Sequence, residues 1–227
     1  MAEKPRECRA RVSAVRALTI DVLEADLALT EPPGLVFDAG QWVSVPLGPK
    51  SVRAYSIASS PRRPATLTLC ADVAPGGVGS RWFRALAPGA EVAFKGPLGG
   101  FVLEPGDTRR VLLVAEEIGI VPVRALALEL AATGWGRSAT LVYWARDAGW
   151  LVYDTELRAL AGQHPGFAYH PVTGEDRDVT TVVEEAVGDV SDLVAYVAGG
   201  ERMIKAVRAA LVARGMERKA VKWEKFW

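Results

Sequence analysis

The sequence predicts two domains: a six-stranded antiparallel β-barrel, then an α/β domain on a five-stranded parallel sheet. Three observations carry this reading. Residues 9–103 are dominated by short β-type runs broken by Pro/Gly turns. From about Thr108 strand-like and helix-like stretches alternate instead, the pattern of a parallel sheet covered by helices. Between the two patterns lies Glu104-Pro-Gly-Asp107, which sets the predicted domains at 1–106 and 107–227.

In the first half the β-type runs are 9–17, 19–28, 41–47, 52–58, 66–73 and 90–95. Pro-Pro-Gly at 32–34, Leu-Gly-Pro at 47–49 and Pro-Gly-Gly at 75–77 punctuate them. One helix fits here, over 79–87, and Pro88-Gly89 ends it. Six strands with regular turns predict a small closed barrel.

In the second half, 111–115 is apolar without alternation, as a strand buried on both faces should be. Residues 122–132 place apolar side chains at helical spacing, with Pro122 suited to a first turn. Strands at 139–145, 167–172 and 193–198 alternate with helices at 155–161 and near 180–186. A helix over 201–214 stops at Gly215, and a last strand covers 220–226.

Composition excludes several function classes. The chain has 27 basic and 27 acidic residues, so no basic surface favours nucleic acid. No run approaches the roughly 18 apolar residues of a membrane span, and residues 1–11 carry no apolar signal core. We expect a soluble cytoplasmic protein. Cys8 and Cys70 are the only cysteines, too few for a four-cysteine iron–sulfur cluster, and they read as reduced thiols. His164 and His170 are not at metal-ligand spacing, so no metal site is expected.

Residues 53–56, Arg-Ala-Tyr-Ser, are the most informative stretch. Arg53 offers a permanently charged fork suited to a pyrophosphate. Tyr55 offers a flat aromatic face for an isoalloxazine ring, and Ser56 a hydroxyl that can donate to a ring nitrogen. On a strand, Arg53 and Tyr55 share one face and Ser56 takes the other. Four residues are weak evidence alone. Residues 76–80, Gly-Gly-Val-Gly-Ser, follow some twenty positions on and enter a helix, where backbone N–H groups make an anion site.

Together these segments resemble the ferredoxin–NADP reductase family over nearly the whole chain. Residues 37–43 (Phe-Asp-Ala-Gly-Gln-Trp-Val) are similar to the strand before the family's flavin motif, and 53–59 (Arg-Ala-Tyr-Ser-Ile-Ala-Ser) to the motif itself. Residues 76–83 resemble its second flavin segment, 96–101 its barrel-closing turn, and 223–227 (Trp-Glu-Lys-Phe-Trp) its aromatic tail. The resemblance implies a Greek-key barrel, a Rossmann-like second domain and bound FAD, with FMN less favoured. It implies cofactor contacts at Arg53, Ala54, Tyr55, Ser56, Gly76, Gly77, Val78, Gly79, Ser80 and Trp227. It also implies catalytic parts for Ser56, at the flavin N5 edge, and for Glu224, as a proton relay, although Glu224 reads equally as a solvated strand residue.

The second domain departs from the family pattern. The family's dinucleotide loop is of the type Gly-Gly-Thr-Gly-Ile-Ala-Pro; here residues 116–122 are Glu-Glu-Ile-Gly-Ile-Val-Pro. Glycines there permit positive φ and close approach to a pyrophosphate. A carboxylate about 6 Å from a phosphate charge costs on the order of 3 kcal/mol at an effective dielectric near 20. Glu116 and Glu117 therefore weaken nucleotide binding unless both turn to solvent. They read equally as acids stabilising a helix N-terminus. The family's Cys-Gly-Pro is Ala198-Gly-Gly200 here, so the thiol beside the nicotinamide is gone. Gly119, Arg146 and Gly199 are the surviving dinucleotide positions, Arg146 matching an arginine near the adenosine ribose or serving as an ordinary exposed strand-end charge.

Two functions remain open on these grounds. One is a flavin-dependent oxidoreductase that passes electrons between NAD(P)H and a one-electron carrier such as ferredoxin. The other is a flavin-binding electron-transfer subunit or binding module that no longer uses NAD(P)H directly. Either works with a redox protein partner, without nucleic acid or membrane.

Overall fold

A computed structural model describes residues 4–174 and 178–227, so Met1–Glu3 of the N-terminal segment lie outside the described residues. The chain divides into two compact units, Met1–Val102 and Leu103–Trp227.

In the first unit, β1 (Arg6–Ala17) and β2 (Val22–Glu31) form a hairpin; β3 (Trp42–Pro46) and β4 (Val52–Ser56) form another. β5 (Thr66–Asp72), α1 (Val78–Arg84) and β6 (Glu91–Leu98) complete the unit. The six strands lie in the order β4-β3-β6-β1-β2-β5, and each pair is antiparallel. A bridge between Ile57 and Leu69, beside an Ala58 N–H to Thr68 C=O bond of 2.8 Å, joins the end of β4 to β5 and closes the sheet. Alternate residues of each strand fill the interior, among them Leu27, Val43, Tyr55, Leu67, Leu69 and Phe94, with Phe83 of α1 packed into the same core.

Several boundaries moved from their sequence-based positions, among them the ends of β2 and β6, which fall later, at Glu31 and Leu98. β1 starts three residues earlier, because Arg6, Glu7 and Cys8 pair with Gly96, Lys95 and Phe94 of β6. β2 starts at Val22, because Thr19 is a turn residue whose hydroxyl accepts from the Asp21 and Val22 N–H groups. α1 spans Val78–Arg84 and is capped at Ala85, short of the expected end.

The second unit alternates as expected. β7 (Arg110–Glu116) leads through a 3₁₀ turn into α2 (Ile120–Ala132). β8 (Ala139–Ala145), α3 (Asp154–Gln163), β9 (Phe167–Thr173), α4 (Val179–Val187), β10 (Leu193–Gly199), α5 (Glu201–Ala213) and β11 (Val221–Lys225) follow. The sheet is wholly parallel in the order β11-β10-β7-β8-β9. Every residue of β10 is buried, and so are the central five of β7, which explains their unbroken apolar sequence. Leu112, Val114, Val142, Ala195 and Val197 pack in one core with the apolar faces of α4 and α5. Strand order reverses at the β7–β10 pair, so the loops after these strands diverge at the crevice where open α/β sheets bind ligands.

Cys8 and Cys70 are buried and not joined in a disulfide. His164 is half-buried against Trp135, and His170 lies on the edge strand β9. Among the described residues no helix is long and apolar enough to cross a membrane, and no group of three or more His, Cys, Asp or Glu is placed to hold a metal.

Candidate functional site

The first cluster lies in the barrel unit, where β4 meets the start of α1. Tyr55 donates its hydroxyl to the Gly79 C=O at 3.3 Å. A Cβ added to Gly79 would sit 3.1 Å from the Tyr55 Oη and 3.2 Å from the Arg53 Cγ. Arg53 and Tyr55 therefore reach the same turn, as their two-residue spacing requires. The Arg53 guanidinium is exposed and donates to the Val52 C=O at 2.8 Å. Tyr55 is buried by Trp82 and Phe83, with ring centroids 5.4 and 5.5 Å away. That burial pushes its hydroxyl up to about 12 against the opposing pull of the Arg53 charge, so it stays protonated. Ala54 is exposed, and Ser56 is buried at the end of β4.

The glycine segment supplies the other wall. Gly76 has φ +65°, and Arg81 donates to its C=O at 2.7 Å, which fixes the turn before α1. Gly77 is the N-cap residue and contributes no side chain, and the first turn of α1 holds no acid. The leading N–H groups of a helix lack partners within it, so those of Val78, Gly79 and Ser80 are open to an anion. A charged fork, a protonated phenol and uncapped amides around a glycine turn fit a bound pyrophosphate. Arg81 and Trp82 were missed from the sequence, although both stand inside the 76–83 segment.

The second cluster lies in the α/β unit. A Cβ on Gly119 would fall 2.3 Å from the Ala198 C=O oxygen, so only glycine lets the β7–α2 loop approach β10 this closely. Neither glutamate turns freely to solvent. Glu116 is half-buried, and its Oε2 accepts the Gly200 N–H at 2.7 Å. Burial raises its carboxyl above the ordinary carboxylate range, opposed by that hydrogen bond. Glu117 is buried and adopts φ +49°, the left-handed conformation that a glycine would take without strain. Its Oε1 accepts the Arg146 backbone N–H at 3.0 Å and the Arg146 Nε at 3.1 Å. The carboxylates thus serve the start of α5 and the end of β8, not the α2 end that follows them in sequence.

The remaining expected residues fall around the same loops. Phe226 donates its N–H to the Gly199 C=O at 3.0 Å, and the Trp227 C=O accepts the Glu201 N–H at 3.2 Å. The tail is thereby pinned across the start of α5, with Trp227 exposed. Glu224 lies beside Ala198 in the β10–β11 register. Arg146 lays its guanidinium over Trp150, 3.6 Å from the ring centre. The Glu117–Arg146 pair had no sequence signal, because its members are 29 residues apart and meet only once β7 and β8 are adjacent.

The sequence profile of the oxidoreductase FAD-binding domain matches residues 9–103. Ferredoxin--NADP reductase B of Sorangium cellulosum (strain So ce56) is 35% identical over 155 residues, 67% of this chain and 64% of that protein. The reductase subunit of aromatic O-demethylase from Amycolatopsis sp. (strain ATCC 39116 / 75iv2) is 30% identical over 234 residues, 97% of this chain and 70% of that protein. The crystal structure of the Amycolatopsis cytochrome P450 reductase GcoB superposes with a TM-score of 0.88 at 28% identity, covering 98% of this chain and 70% of that one. The chain spans 64–66% of the length of the first curated relatives it matches. With both halves of the fold and the flavin motif in place, the chain belongs to the ferredoxin–NADP reductase-like family of FAD-binding oxidoreductases.

Proposed function

We propose that the chain is a flavin-dependent oxidoreductase module that passes electrons between a nicotinamide nucleotide and a one-electron carrier such as ferredoxin. The observation that carries this reading is the Arg53–Tyr55–Gly79 cradle on the uncapped start of α1. Residues 1–106 would form the FAD-binding domain and 107–227 the nucleotide-binding one. When bound, FAD supplies the chemistry, because a flavin takes a hydride and returns electrons singly. Arg53 would hold the pyrophosphate together with the amides of Gly76, Gly77, Val78, Gly79 and Ser80. Tyr55 would lie against the ring, its phenol kept protonated by burial. Ser56 would face the N5 edge, and Trp227 would cover the cofactor from the tail. Glu224 would move protons to and from the reduced ring.

Names among the relatives support the electron-transfer role, since they include a ferredoxin–NADP reductase and reductase components of oxygenase systems. A redox protein is accordingly the partner in this reading, which takes either nicotinamide nucleotide as the donor. The cytoplasmic location also belongs to it, supported by two buried cysteines that form no disulfide. The test is electron delivery: FAD-loaded protein, NADH or NADPH, and a ferredoxin or other one-electron acceptor. Sustained acceptor reduction that needs both flavin and nucleotide supports the reading, and its absence with either nucleotide contradicts it.

A specific feature favours the second reading, in which a protein donor reduces the flavin directly. Glu116 takes the Gly200 N–H at the α5 start, and Ala198 stands where the family keeps a thiol. Reduction by a low-potential protein donor, with no response to either nucleotide, would decide for it.

A further inference from the structure

We propose that the Glu117–Arg146 pair selects a nicotinamide nucleotide whose adenosine ribose carries a free 2′-hydroxyl, NADH, over one carrying a 2′-phosphate. This rests on the reading that the loop after β7 takes such a nucleotide. Four observations place the discriminating charge. Glu117 follows β7 and Arg146 follows β8, so their bond lies across the C-terminal ends of two adjacent strands. In open α/β sheets that edge receives the adenosine ribose, a carboxylate there accepting from its hydroxyls and an arginine accommodating a 2′-phosphate. Here the arginine is tied to the carboxylate: its Nε and backbone N–H both go to Glu117 Oε1, and one face of its guanidinium lies over Trp150. The carboxylate, by contrast, keeps an oxygen in reserve. Glu117 Oε2 is enclosed and has no hydrogen-bond partner among the described residues.

The chemistry of the two riboses differs in the sense needed. A 2′-hydroxyl is a donor, and a carboxylate is acceptor-only. An enclosed oxygen without a donor is costly, so a ribose hydroxyl brought to Glu117 removes that cost. The terminal torsion of a glutamate is broad and two-fold, which lets either oxygen turn to the incoming donor. A 2′-phosphate brings close to two negative charges and no suitable donor to the same carboxylate. Arg146 is already neutralised by Glu117 and offers that phosphate little net attraction. The positive φ of Glu117 belongs to the same account, because it puts a side chain where a glycine would leave the edge uncharged.

The experiment uses FAD-loaded protein and two pairs of probes. NADH and NADPH are compared by anaerobic flavin reduction; 5′-AMP and 2′,5′-ADP, which are redox-inert, are compared by calorimetric titration. The proposal expects at least about a tenfold preference for NADH and for 5′-AMP, the scale of one charge-assisted hydrogen bond. In Glu117→Gln, which keeps size but not charge, both preferences should shrink by about tenfold. The ratio is read within each protein, so a fold defect that lowers both affinities alike leaves it unchanged. Equal or tighter binding of NADPH and 2′,5′-ADP by the wild-type protein overturns the proposal, as does an unchanged ratio in a folded Glu117→Gln protein. Binding of none of the four probes overturns it differently, by removing the nucleotide reading beneath it.

Discussion

The Glu116 carboxylate accepts a 2.7 Å hydrogen bond from the Gly200 N–H, tying the end of β7 to the start of α5. Burial raises this carboxyl in the folded chain. A raised acid binds its proton more tightly when folded, so its stabilising contribution is complete below the ordinary carboxylate range. That contribution is lost as pH rises through the raised value. Glu116→Gln keeps an acceptor for Gly200 and has no charge to desolvate. Its melting temperature should exceed that of the wild type at neutral pH, and the gap should close in acid. Melting curves of both proteins across pH check this, and a less stable variant at neutral pH would count against it.

Asp107 behaves in the opposite sense. It is held by Arg109 and Arg137, and its side chain and that of Arg137 are each only 8% exposed. The Arg109 hydrogen bond draws its carboxyl down to about 2. Its contribution is therefore present above the ordinary aspartate range and is lost as pH falls through about 2. Removing one partner of a buried pair costs about 3–5 kcal/mol, the loss expected for Asp107→Asn at neutral pH in urea unfolding. The variant should also lose the wild type's extra acid sensitivity in that window.

Gly119 is a packing requirement rather than a flexible joint. A Cβ there would fall 2.3 Å from a backbone oxygen, which cannot rotate away. Gly119→Ala should lower stability by about 1–3 kcal/mol, read as a fall in denaturation midpoint with an unchanged slope. Gly77→Ala is the control, because its Cβ would meet nothing within 4 Å.

Arg53→Ala should weaken FAD retention. Loss of one charged hydrogen-bond donor to a phosphate is worth about 1.5–3 kcal/mol, or roughly 10–150-fold in affinity. Titration of the apoprotein with FAD, followed by flavin fluorescence, measures it. An unchanged affinity would remove Arg53 from the pyrophosphate.

Much of the fold was legible because local pattern and tertiary environment agree. The unalternating run at 111–115 is buried on both faces, and the two-residue spacing of Arg53 and Tyr55 puts both on Gly79. Gly119 was legible as a glycine position, and the structure supplies the reason in the Ala198 oxygen. The long-range pairs were not legible. Glu116 reaches Gly200 across 84 residues, and Glu117 reaches Arg146 across 29. Periodicity carries no information on such pairings, which arise only when strand order brings β7 between β8 and β10. The turn residue Asp107 was likewise read as a boundary, because its partner Arg137 comes from the far side of α2 in sequence.

Reduction of a bound flavin by a nicotinamide nucleotide is the step on which the proposed function depends. Anaerobic mixing of the FAD-loaded protein with NADH, before any acceptor is added, tests it most directly. Rapid bleaching of the flavin's visible band is expected. A band that persists with NADH and with NADPH, yet bleaches with dithionite, would contradict it.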